Sequence, residues 1–210
     1  MTSPKPAPAS LDALLTSIRA CRICDLPLGP RPVLRVAPTA RLLIASQAPG
    51  TKVHATGLPF NDRSGDRLRD WLGIDRETFY DERRVAIVPM GFCYPGRDPK
   101  GGDLPPRPEC APHWRQAVLD QLPDLDLVLV IGLYAQGWHL GSARKPTLTA
   151  TVEAWRSYLP RYLPLPHPSW RNNGWLRTHP WFETDLLPYL RARVQGLLND
   201  TGPNGRVSRS

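Results

Sequence analysis

The chain has 210 residues, a net charge of +8 and 41% apolar content, which excludes wholesale disorder and accommodates one domain with a proper hydrophobic core. The positive balance favours an anionic partner such as DNA or RNA. No apolar run reaches the roughly 18–20 residues of a membrane span, and no signal-peptide core opens the chain, so a cytoplasmic location with no membrane partner is expected.

Residues 1–9 are rich in proline and small residues and are expected to be disordered. Ser10 is placed to cap a helix carrying Leu11, Leu14, Leu15 and Ile18 at helical spacing. A buried strand is expected over 41–45, followed by the rigid polar loop Ser46-Gln47-Ala48-Pro49-Gly50. A helix over 64–72 presents Leu68, Trp71 and Leu72 on one face, and a second buried strand covers 85–88. Proline, at 25 residues, has about twice its usual share. Many are therefore expected in loops, and six of them lie in a long Gly/Pro-rich excursion over 89–108.

A helix over 109–122 leads to the clearest strand, 127–131, which Gly132 turns into a short helix over 133–139. A weaker helix over 148–158 precedes a strand that ends in His167-Pro168-Ser169. An amphipathic helix over 181–194 closes a domain spanning 10–195, and 196–210 reads as a flexible tail. The alternation predicts an α/β fold, a three-layer α/β/α sandwich around a central, mostly parallel four-stranded sheet. In such a sheet the strand carboxyl ends open into one crevice, so the two polar loops can face a single ligand.

Cys21 and Cys24 form a C-x2-C clip, and Cys93 and Cys110 follow much later. Together they can close a four-thiolate site for zinc or an iron–sulfur cluster. Two pairs of ordinary buried cysteines are the alternative.

These residues together resemble the uracil-DNA glycosylase superfamily, most closely its iron–sulfur branches, families four and five. Ser46-Gln47-Ala48-Pro49-Gly50 resembles the first motif, which in family four reads Gly-Glu-Ala-Pro-Gly. Gly57-Leu58-Pro59-Phe60 resembles the Gly-Arg-Pro-Phe segment of family four. Thr56-Gly57 with Asp62-Arg63-Ser64-Gly65 is similar to the matching stretch of family five, and His167-Pro168-Ser169 matches the second motif. The cysteines follow the order and nearly the spacing of the family-four cluster ligands, so the resemblance implies a 4Fe-4S cluster, with zinc the weaker choice. It covers roughly 21–194. Two positions depart from family four. Gln47 stands where that family has a carboxylate, and Pro89 where it has a base-reading Asn.

The resemblance implies a monofunctional, monomeric enzyme that flips uracil out of DNA and hydrolyses its N-glycosidic bond. Phe60 is then the stacking platform, His167 the donor to the departing base, and the amides near Gln47 and Ala48 its helpers. Asp62 leads as the partner of the attacking water, with Gln47 second and His54 third. Asp62 or Ser64 equally suits the N-cap of the following helix. Gly50, His54 and Ser64 complete the substrate-binding set. Ser169, Trp170, Arg171 and Asn172 sit at the position of the superfamily's minor-groove wedge, and Arg63, Arg67, Arg97 and Arg171 are candidate phosphate ligands. Gln47 and Pro89 leave room for a glycosylase acting on hypoxanthine or a modified cytosine, or for a non-catalytic binder of single-stranded or abasic DNA.

Overall fold

Four short apolar runs build the sheet. The computed structural model describes residues 10–199. The expected N-terminal disorder and the last eleven residues of the expected tail lie outside them. Strands β1 (Leu42–Ala45), β2 (Val85–Ile87), β3 (Leu127–Ile131) and β4 (Tyr162–Leu165) pair in the order β2-β1-β3-β4, every pair parallel. Nearly every strand residue is buried, as a parallel sheet covered on both faces requires.

The first helices are α1 (Leu11–Arg19), α2 (Thr51–Thr56), α3 (Arg63–Leu72) and α4 (Arg76–Tyr80). After β2 come α5 (Gln116–Leu119), α6 (Gly132–Leu140) and α7 (Leu148–Glu153), and after β4 come α8 (Asn173–Thr178) and α9 (Leu187–Asn199). Alternating strand side chains sort the helices into layers. Leu42, Ile44, Val85, Ile87, Leu129 and Leu163 pack with Leu68, Trp71 and Leu72 of α3 and Leu190 and Val194 of α9. Leu43, Ala45, Ala86, Val128 and Val130 pack with Leu14 and Ile18 of α1, Val118 of α5 and Ala135 of α6. The result is the expected α/β/α sandwich, with an all-parallel centre.

Several expected boundaries are corrected. The helix over 109–122 is a wide π-type turn across Ala111–Arg115 before α5, with a proline near its start. The helix over 148–158 splits into α7 and a 3-10 turn over Trp155–Tyr158. A second π-type turn, Phe182–Leu186, precedes α9 and its Pro188, which has no N–H to give to the preceding turn. The tail does not begin at Gly196: α9 continues to Asn199 because Leu197 and Leu198 are buried against the sheet layer. The short helices α2, α4 and α8 were not anticipated.

Candidate active site

Strand order reverses between β1 and β3, and the loop following β1 opens at that switch point. Two backbone bonds tie this loop to the segment after β2: Met90 N–H donates to Ser46 O at 2.8 Å, and Gly91 N–H to Gln47 O at 2.9 Å. Gly132, with φ +79°, starts α6 beside Gln47. A Cβ there would stand 3.8 Å from Cγ of Gln47.

Phe60 is held in the left-handed region at φ 54° and is buried, edge-on to Phe79 with ring centroids 6.1 Å apart. Such a backbone costs on the order of 1–3 kcal/mol and persists only where its surroundings over-determine it. Here they do. Tyr80 Oη donates to Pro59 O at 2.8 Å and Arg69 Nη1 to Phe60 O at 3.4 Å. Behind them, a Cβ on Gly65 would lie 1.7 Å from Phe60 O, so only glycine fits at that position. Asp62 caps α3, accepting from Gly65 N–H at 3.0 Å.

His167 follows β4. Asn172 Nδ2 donates to its carbonyl at 2.6 Å, and Ser169 Oγ accepts from Arg171 N–H at 3.3 Å, folding the loop over 167–172 onto itself. Burial pushes the His167 imidazole below its ordinary pKa, while the Asp62 carboxylate pulls the other way. The ring is therefore neutral at pH 7 and keeps one N–H to donate.

These segments surround one cavity of about 730 Å³, lined by Gln47, Ala48, Gly50, Phe60, Asp62, Arg63, Ser64, His167, Ser169, Trp170, Arg171 and Asn172 among others. Its size suits a nucleobase with its sugar. A cleft with an aromatic wall, a neutral imidazole donor, a capped carboxylate and cationic residues can grip a flat polar ring and stabilise charge that leaves with it.

Residues 35–191, well over half of the chain, match the family model of the uracil DNA glycosylase superfamily. The chain belongs to that superfamily. Membership makes its reaction class DNA base excision and its substrate DNA. Among solved structures, the solution NMR structure of a candidate uracil DNA glycosylase from Methanosarcina acetivorans aligns at 14% identity and a TM-score of 0.44. That alignment covers 75% of this chain and 93% of that one.

Of the expected substrate-binding residues of this glycosylase, His54 is the exception. It does not line the cavity: its ring lies 6.1 Å from that of Tyr94, and its buried Nδ1 has no hydrogen-bond partner among the described residues. Arg67, expected on phosphates, instead donates from Nη1 to Ser169 O at 3.1 Å and props the second-motif loop. Arg97 lines the cavity, as do Pro89 and two unanticipated residues, Lys52 and Asp103. Burial raises the Asp103 carboxyl above its ordinary range, against Arg171, Tyr94 and Arg97.

Beneath Pro89 lies another unanticipated residue, Arg115, which is fully buried. Its Nη1 donates to Val88 O at 2.9 Å and Pro89 O at 2.8 Å, and its Nη2 lies 2.7 Å from Nε2 of His139. Burial lowers the pKa of Arg115 to about 9, and burial with the neighbouring Arg115 and Arg161 charges pushes His139 to about 3. The neutral His139 therefore accepts from Arg115, which fixes its proton on Nδ1.

Cys21, Cys24, Cys93 and Cys110 line a second, small cavity with Phe92 and Trp114. Phe92 N–H points at Cys110 Sγ at 3.3 Å and Trp114 Nε1 at Cys21 Sγ at 3.4 Å. Burial pushes Cys93 up to about 11 and Cys110 up to about 12. Buried thiols of this kind ionise when a cation compensates them. Among the described residues, no three His, Cys, Asp or Glu side chains converge on a single metal position.

Proposed function

We propose that the protein is a monofunctional uracil-DNA glycosylase that hydrolyses the bond between deoxyribose and uracil and leaves an abasic site, the first step of base excision repair. The observation that carries this reading is the meeting of Gln47, Phe60, Asp62 and His167, from separate segments, around one cavity. Duplex DNA hides the glycosidic bond, so the nucleotide is flipped into the cavity at a cost of a few kcal/mol. Stacking on an aromatic such as Phe60, worth about 1–3 kcal/mol, offsets much of it. Trp170, 69% exposed beside Arg171, is the wedge that fills the vacated stack.

As the C1′–N bond breaks, its electron pair leaves with the base and negative charge grows on a carbonyl oxygen. His167 donates to that oxygen, and a donor of this sort is worth about 2.7–4 kcal/mol. Water oxygen bonds to C1′, and the water proton passes to Asp62, while Gln47 orients the water by hydrogen bonding.

The four cysteines fit a 4Fe-4S cluster. The four thiols line one small cavity, and their order along the chain resembles that of the cluster ligands of family four, which favours a cluster over zinc. The N–H groups of Phe92 and Trp114 are aimed at two of those sulfurs, the outer-layer bonding that cluster thiolates receive. The reaction is a hydrolysis and needs no electron transfer, so the cluster is structural. The enzyme acts as a cytoplasmic monomer.

The test is a panel of oligonucleotides carrying uracil, hypoxanthine or an abasic site, single- and double-stranded, followed by alkaline cleavage. Cleavage at uracil is expected. Cleavage at hypoxanthine alone would reassign the base, and tight binding to the abasic strand without cleavage of either base would make the protein a binder.

A further inference from the structure

The Gly/Pro-rich excursion brings a second carboxylate to the cavity. Arg97 and Asp103 pair as an antiparallel bridge. Between them Asp98 N–H donates to Gly102 O and Gly101 N–H to Asp98 O, each at 2.9 Å. Asp103 is thus fixed by a closed backbone turn. Its Oδ2 lies 3.3 Å from where a Cβ on Gly50 would stand, so the bare glycine lets the carboxylate sit directly against the first-motif loop. Tyr94 is buried and helps to hold the Asp103 pKa down against burial, and the His54 ring lies 6.1 Å from that of Tyr94.

From this placement we infer that Asp103 is a catalytic residue which, with Asp62, stabilises the positive charge that develops on the sugar as the base departs. The inference rests on the glycosylase reading above. Burial is the main reason the Asp103 carboxyl is raised, Arg171 and Arg97 oppose it, and Asp62 adds the smallest push upward. Two carboxylates that share one cleft repel each other. That repulsion is unfavourable at rest and turns into attraction once a cation lies between them. Cleavage of a glycosidic bond supplies that cation, because the ring oxygen shares the charge left at C1′ when the electron pair goes with the base. Asp103 forms no covalent bond and takes no proton, since the water proton goes to Asp62.

The test uses the full chain with Asp103→Asn, which keeps the shape and removes the charge, and with Tyr94→Phe, which removes only a hydroxyl that helps to keep the carboxyl ionised. Single-turnover excision of uracil is measured at saturating enzyme, with affinity for abasic DNA in parallel. Asp103→Asn should slow excision on the order of 100-fold, with affinity unchanged or tighter because one negative charge near the DNA is gone. Tyr94→Phe should give a smaller slowing with affinity unchanged. Excision by Asp103→Asn at the wild-type rate would overturn the inference and leave the glycosylase reading intact. A slowing that disappears at saturating enzyme would also overturn it, by making Asp103 a binding residue. A wild-type protein that excises nothing from the panel would defeat both.

Discussion

Asp62 carries two tasks at once, because one carboxylate oxygen caps α3 through Gly65 N–H while the residue lines the cavity. Asn caps helices as well as Asp does, so Asp62→Asn separates the tasks. Single-turnover excision should fall by about 100-fold or more, the usual contribution of a positioned base. Affinity for DNA and the thermal midpoint should stay close to wild type. Excision at the wild-type rate would remove Asp62 from the chemistry. The residues that the sequence left illegible fail for a shared reason. Asp103 sits in a Gly/Pro segment with no periodic pattern around it, and its relation to Gly50 exists only across the fold. Arg115 lies in a helical window where an arginine reads as a solvated face, yet it is fully buried under Pro89. His54 stands in the motif region, but its ring packs on Tyr94.

At the scale of elements, strands were the most legible part. Runs such as Leu127–Ile131 are continuous in apolar residues because both faces are covered, and β3 matches the expected span. Helices α2 and α4 are six and five residues long and bury one residue each, Val53 and Phe79. Such segments hold too little periodicity to read. The end of α9 escaped because Gly196 and the polar residues after it resemble a tail, whereas Leu197 and Leu198 anchor one more turn. A Cβ at Gly196 would meet nothing within 4 Å, and its backbone is helical. Gly196→Ala should therefore stabilise the protein by about 0.5–1 kcal/mol, read as a higher denaturant midpoint. A lower midpoint would mean that the last turn of α9 is not formed in solution.

For the whole molecule, the charge of +8 gains a direction from the fold. Lys52, Arg63, Arg97 and Arg171 all line the cavity whose wall includes His167. Cations clustered at one opening predict that DNA binding weakens steeply with salt, since every neutralised phosphate releases counterions. Log affinity should fall linearly with log salt, and Arg63→Ala should reduce the slope by about one contact. A slope near zero in the wild type would argue that phosphates contribute little.

Gly65 leaves the Phe60 carbonyl the space that a Cβ would take, and Arg69 and Tyr80 grip the carbonyls of Phe60 and Pro59, so this shelf is set by the fold itself. Settling a mobile side chain at an interface costs about 0.5–1.5 kcal/mol, and here that charge falls on folding instead of on the arrival of DNA. On the function proposed above, selection among flipped bases at this wall would work as a template does, by what the incoming ring can match.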